Sequence, residues 1–282
     1  ITILLIYVLE TGIIFLRTEG EKRWVRSAFG RYLSPAVVDR LADDPDRLSL
    51  GGEMRDMSIL FCDIRGFTTI SEQFDAEGLT RFLNRFLTPM TELILEHAGT
   101  IDKYMGDAIM AFWNAPVDDP EHAARAGRTA LAMVDRLEAL NEAWRAEAEA
   151  EGRRFIEVRM GIGIATGECC VGNMGSDQRF DYSVVGDEVN LASRLEGQTK
   201  TYRVPIAVSE ATAKGAEGLA ILELDLITVR GKTRPERVFA LLGGEEEARG
   251  EAHQELEGRH RTMLAAYRGQ DWAAAERLVA EC

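Results

Sequence analysis

The sequence predicts an α+β domain, and three observations carry that prediction. Apolar runs such as "MSILFCDI", and the alternation of Val158, Met160, Ile162 and Ile164, have the period of two expected of strands. Leu79, Phe82, Leu83, Phe86, Leu87, Met90, Leu93 and Ile94 recur every three or four residues, as on one face of a helix. In "TIDKYMGDAIMAFW" two strand-like runs are joined by a turn short enough for a hairpin.

Taken in order, the chain opens with "ITILLIYVLETGIIFL", apolar apart from Thr2, Glu10, Thr11 and Gly12. A bilayer span takes about 20 residues, so this run is short for one, but it opens with Ile rather than Met and is expected to be the end of a longer helix. Residues 1–16 are therefore read as the end of a transmembrane helix. A buried or dimerising helix is the alternative, and a signal peptide would need a basic start that is absent. From Arg17 to Arg40 six basic residues face three acidic ones, the bias of the cytoplasmic side of a membrane. Residues 17–50 read as a juxtamembrane connector, with Ser34-Pro35 able to start a new helix.

The compact domain is expected over residues 51–243. It begins with the "MSILFCDI" strand, followed by the helix around Leu79–Ile94, the hairpin from Thr100 to Trp113, and an Ala- and Glu-rich helix from about Glu121 to Glu147. "FIEVRMGIGIATG" is a strand that ends in the glycine-rich "GECCVGNMG", and "EVNLASRL" lies on a further helix. Short strands near 206–208, 222–229 and 238–242 close the domain. The order β-α-β-β-α-β with additions is that of a ferredoxin-like sheet. Residues 244–282 form a helical tail, in which a Gly-Gln-Asp turn separates two helices.

The 282 residues are 46% hydrophobic and 28% charged, enough for a sizeable core. A net charge of −14 repels nucleic acid and anionic lipid, so a polyanionic substrate would need accompanying cations. The four cysteines include an adjacent pair and no CxxC spacing, which supports neither a disulfide framework nor a zinc site. Cys169 and Cys170 are expected to be packed thiols rather than redox centres.

Asp63 ends an apolar strand beside a Gly66-containing loop that carries Phe67 and the hydroxyls of Thr68 and Thr69. Such a carboxylate can hold a hard cation while the loop cradles phosphate; the plainer reading is a turn-capping aspartate. Asp107, beside Gly106 at the hairpin tip, has the same two readings. Because both end adjacent strands of the proposed sheet, they have the placement to share two metal ions. Asn190 and Arg194, four apart on a helix, project from one side, though an exposed helix face can carry them without a function. Lys232 lies in a turn, and "GIATGECCVGNMGS" is either a phosphate loop or a glycine-rich connection between strands at a subunit contact.

Four ordered motifs, "FCDIRGFTTISE", "DKYMGDAIMAFW", "GIATGECCVGNMGS" and "FDYSVVGDEVNLASRLE", resemble those of the class III nucleotidyl cyclases, specifically the bacterial membrane-linked adenylate cyclases. The resemblance covers about Met57 to Leu242. It implies a head-to-tail homodimer with active sites at the interface. Asp63 and Asp107 would be the metal-binding aspartates, with the Ile64 carbonyl a further ligand for two Mg²⁺ or Mn²⁺ ions. Lys103 would select the purine with Ser183 as the second base contact, Asn190 and Arg194 would orient the ribose and meet charge on the reacting phosphate, and Lys232 would hold the polyphosphate. Phe67 and Thr68 would line the substrate loop. Lys103 and Asp107, close in sequence, would then serve different active sites.

The implied activity is conversion of ATP to 3′,5′-cyclic AMP and pyrophosphate by a domain on the cytoplasmic side of the inner membrane. Ser183 departs from the family's usual Asp or Thr, but its hydroxyl can still accept from the adenine amino group while Lys103 donates to N1. A guanylate cyclase and a catalytically silent nucleotide-binding module are the rival readings. A diguanylate cyclase is set aside, since "YMGDAIM" supplies only the Gly-Asp of its signature.

Overall fold

The computed structural model describes residues 51–176, 178–228 and 235–280. The proposed membrane segment at 1–16, the connector at 17–50 and Lys232 lie outside these residues. Among the described residues no helix is long and apolar enough to cross a membrane.

The first strand, β1 (Gly51–Ile64), alternates strictly once it enters the core: Leu60, Cys62 and Ile64 point to one face, Met57 and Ile59 to the other. A short helix α1 (Phe67–Ser71) and a long helix α2 (Ala76–Glu96) follow. The Asp75 carboxylate accepts from the Gly78 N–H at 2.7 Å and caps α2, which buries Phe86, Met90 and Ile94 along one stripe. The hairpin comprises β2 (Thr100–Met105) and β3 (Ala108–Trp113), joined by the two-residue turn Gly106-Asp107. Helix α3 (His122–Ala150) then leads to β4 (Met160–Ser176), which pairs antiparallel with the whole of β1.

Thus β1, β2, β3 and β4 stand in the spatial order β2-β3-β1-β4, the expected ferredoxin-like core. The sheet does not stop there. Helix α4 (Asp187–Tyr202) carries the chain to β6 (Ile206–Ser209), parallel to β4, and α5 (Glu210–Gly215), β7 (Ala220–Ile227) and β8 (Glu236–Gly243) extend the order to β6-β8-β7. Three helices follow: α6 (Glu245–Arg249), α7 (Glu251–Arg268) and α8 (Trp272–Val279), the last capped by Asp271 across the expected turn.

One reading is corrected. The glycine-rich "GECCVGNMG" is neither a phosphate loop nor a connection between strands. Strand β4 runs through it to Ser176 and turns there into β5 (Arg179–Val185), which pairs back along Cys170 to Ser176. The glycines mark close approach instead. A Cβ on Gly172 would lie 2.1 Å from the Gly51 carbonyl oxygen, and one on Gly163 would lie 2.1 Å from that of Ala192 in α4. The glycine signal was real, but backbone crowding across a sheet explains it rather than phosphate contact.

The sheet has two apolar faces. On one, α2 and α3 close a core that includes Leu60, Phe86, Met90, Trp113, Met133 and Ile164. On the other, β5 and α4 fold over Met57, Ile59, Phe112, Val184, Leu191 and Leu195. Strand β5 comes back far enough over the sheet to set Tyr182 at 6.2 Å from Phe112. Asp63 lies on this second face by the period of β1. The cysteine expectation holds for Cys169, which is buried with its thiol pKa pushed up by burial to about 11, whereas Cys170 is only partly buried; Cys62 is buried as well, its thiol pKa also pushed up by burial.

Candidate active site

The tight Gly106-Asp107 turn throws the Asp107 carboxylate back toward the end of β1, where its Oδ2 accepts from the Ile64 N–H at 3.2 Å. Asp63 ends the same strand, and its carboxyl is close enough to share a hydrogen bond with Asp107. Burial, that hydrogen bond and the Asp63 charge push the Asp107 pKa up to about 7. Two carboxylates set side by side at the end of a strand form an oxygen donor pair, which fits a hard divalent ion that takes water and phosphate oxygens as its other ligands. Among the described residues there is no group of three or more His, Cys, Asp or Glu able to hold a metal by themselves.

The end of β1 is also braced. The Arg65 guanidinium donates to the carbonyls of Val204 at 2.5 Å and Thr199 at 3.3 Å, tying the residue after Ile64 to the C-terminal end of α4. Glu196, on the same helix, is half-buried, and burial followed by the Asp63 charge raises its pKa. Neither residue stood out in the sequence; an arginine after a strand and a glutamate on a helix are ordinary there.

A second cluster forms where β5 crosses to β2. The Ser183 hydroxyl donates to Asp102 Oδ2 at 2.8 Å, and the Lys103 ammonium donates to Ser183 Oγ at 3.4 Å. Lys103 Nζ also stands 3.2 Å from Asp102 Oδ1 as an ion pair, without hydrogen-bond geometry. Burial raises the Asp102 pKa, while Ser183, Lys103 and the Val184 N–H favour the charged form. The structure thus joins Lys103 and Ser183, 80 residues apart in sequence, within one chain. Asp102 was missed. The available signal was an acidic residue just before Lys103, inside a run otherwise fit for a strand.

Lys103 and Asp107 therefore sit in separate clusters, one facing Ser183 and the other facing Ile64. Asn190 and Arg194 lie along α4, whose packed side buries Leu191, Ala192, Leu195 and Thr199. Asn190 is exposed and donates to the Gly186 carbonyl at 3.5 Å, while Arg194 is half-exposed with no hydrogen-bond or ionic partner among the described residues. Within this chain they join neither cluster. Phe67 and Thr68 do not form an open loop: they begin α1, where Phe67 packs against the core and Thr68 is exposed.

The comparisons agree on one family. The adenylate and guanylate cyclase catalytic domain matches residues 52–243. Adenylate cyclase 1 of Rhizobium meliloti is 36% identical over 190 residues, 67% of this chain and 28% of that protein. An adenylate cyclase of Anabaena cylindrica is 38% identical over 216 residues, 75% of this chain and 40% of that protein. The chain thus spans well under half the length of these relatives. Among solved structures, the adenylyl cyclase CyaB from P. aeruginosa superposes with a TM-score of 0.62 at 34% identity, covering 69% of this chain and 97% of that one. The guanylyl cyclase Cya2 does so with a TM-score of 0.61 at 33% identity, covering 72% and 96%.

Proposed function

The chain belongs to the adenylate and guanylate cyclase catalytic-domain family, and from that premise we propose that it is an adenylate cyclase, forming 3′,5′-cyclic AMP and pyrophosphate from ATP. The observation that carries the choice of purine is the pairing of Lys103 with Ser183. An ammonium that can only donate suits adenine N1, and a hydroxyl beside it can accept from the 6-amino group. Guanine would instead present an N1–H to the ammonium, two donors facing each other.

Asp63, Asp107 and the Ile64 carbonyl would hold divalent cations, Mg²⁺ or Mn²⁺. When bound, such ions supply Lewis-acid stabilisation of the phosphate oxygens and the attacking ribose oxygen. The chain's own groups do the rest by position and charge. Lys103 and Ser183 hold the base, Asn190 orients the ribose, and Arg194 meets the negative charge that grows on the reacting phosphate. Lys232 would hold the polyphosphate. Since Asn190 and Arg194 reach neither cluster within one chain, the reading takes a head-to-tail homodimer as the working unit, with Lys103 and Asp107 serving different sites. The apolar residues 1–16 would tether the domain to the inner membrane from its cytoplasmic side.

The test is product formation by the full chain with Mg²⁺ or Mn²⁺ and either ATP or GTP, measured against protein concentration. Cyclic AMP, at a rate rising faster than linearly at low concentration, supports the dimeric adenylate cyclase. Partial recovery of activity on mixing Asp107→Ala with Lys103→Ala chains would place those residues in separate sites. The similarity to a solved guanylyl cyclase favours one second reading, and cyclic GMP formed faster than cyclic AMP would decide for it. Nucleotide binding without turnover would point to a silent module.

A further inference from the structure

The Asp102 side chain is 0% exposed, yet it takes the proton of a hydroxyl read above as a base contact. Ser183 Oγ lies 2.8 Å from Asp102 Oδ2 on one side and 3.4 Å from Lys103 Nζ on the other. A carboxylate can only accept and an ammonium can only donate. A hydroxyl held between them has one arrangement, with its proton toward Asp102 and its lone pairs toward Lys103. We infer that Asp102 is a positioning residue for purine choice: by accepting the hydrogen bond of the Ser183 hydroxyl it leaves that oxygen only as an acceptor, matched to the amino group of adenine and mismatched to the carbonyl oxygen that guanine presents there.

This rests on the reading of Lys103 and Ser183 as the base-contacting pair. By itself serine is indifferent, since a freely rotating hydroxyl donates to a carbonyl as readily as it accepts from an amine. Asp102 removes that freedom from behind. Its buried carboxylate, closed off by Ser183 and Lys103, acts through the serine rather than on the base. The neighbouring Lys103 ammonium, 3.2 Å away, favours the accepting carboxylate form against the burial that opposes it. Adenine preference would then be a property of three side chains rather than two.

Asp102→Asn reverses the polarity with almost no change of shape. The amide carbonyl turns to the Lys103 ammonium and the amide NH₂ to Ser183, which must then accept from Asn and offer its proton outward. In the full chain with Mn²⁺, the ratio of kcat/KM for ATP to that for GTP is expected to fall at least about tenfold, mostly through the KM for ATP. Ser183→Ala lowers the ratio comparably, and the double variant lowers it no further, because no hydroxyl is left to orient. Asp102→Thr, which suits a strand and can either donate or accept, lowers the ratio partway and serves where the Asn variant does not fold.

Equal losses for both nucleotides, or effects of Asp102 and Ser183 substitutions that simply add, would mean that Asp102 only pins β5 to β2 and would overturn the inference. Equilibrium binding of fluorescent ATP and GTP analogues to the same variants separates the two claims. A wild-type chain that prefers the ATP analogue but forms no product sinks the proposed reaction alone, whereas a preference unchanged in the Asp102 variants sinks this inference alone.

Discussion

The two aspartate clusters on the β5–α4 side of the sheet are opposites in their electrostatics. Asp63 and Asp107 are like charges set together, and burial, with Asp63 beside it, pushes the second up to about 7. Asp102 is more deeply placed, yet it has a cation at 3.2 Å and a hydroxyl donor at 2.8 Å. The first cluster sets two acidic groups where a cation would relieve their repulsion. The second already holds its own cation and hydroxyl donor within the chain. On the proposed reading, the first cluster would hold ions for chemistry and the second would select a base.

Substitutions should expose this difference, starting with the largest effect. Asp63→Asn or Asp107→Asn is expected to cost cyclase turnover about a hundredfold or more, since on the proposed reading each removes a charge that would hold the ions stabilising the reacting phosphate. Product assays at saturating nucleotide check this, and near-normal activity would detach the pair from catalysis. Next, Gly163→Ala drives a Cβ into the backbone of α4, 2.1 Å from the Ala192 oxygen, and is expected to cost about 2 kcal/mol in thermal unfolding. It should lower activity with it, by shifting the helix that carries Asn190 and Arg194.

At the second cluster, Lys103→Gln leaves the buried Asp102 without its cation. The ammonium is 47% exposed, so solvent screening holds the expected loss of stability to about 1 kcal/mol, read by denaturant unfolding at pH 7. The same kind of neutralisation at the first cluster should act in the opposite direction. Asp107 keeps its proton up to about pH 7 when folded but loses it near 3.8 when unfolded, so the folded state binds the extra proton in between. Its contribution to stability is fully present below the lower value and lost as pH rises through the upper one. Without divalent ions, Asp107→Asn and the wild type should melt most nearly alike below about pH 3.8, while at pH 8 the variant should melt a few degrees higher, with added Mg²⁺ closing the gap. A variant less stable at pH 8 would mean that the two aspartates are not in conflict.

Much of this was legible in the chain, for identifiable reasons. The alternation in β1 and the stripe of Phe86, Met90 and Ile94 in α2 are direct consequences of burying one side of a regular element, so their periods survive in the sequence. The Gly-Asp of the hairpin tip was legible because a two-residue turn favours glycine at its first position. The course of β4 was not. Glycines in "GECCVGNMG" suggest a loop by composition, and only the pairing of Gly172 beside Gly51 and Gly52 shows that they make room for neighbouring backbone. Asp102 was illegible for a related reason: an aspartate before a lysine reads as a surface pair until β5 is folded over it.

By itself, the sequence determined the α+β order, the two aspartates at strand ends, the lysine that opposes neither of them, and the four motifs that mark the cyclase family. These depend on residue types at short spacings, where geometry is set by the period of a strand or a helix. Only the tertiary structure decided that β5 comes back over the sheet, that Ser183 meets Lys103 within one chain, and that Asp102 stands behind both. Those contacts join residues some 80 positions apart, and no local period encodes them. They arise from the second apolar face of the sheet, where burying Val184 and Leu191 against Met57 and Phe112 carries the polar residues between them into place.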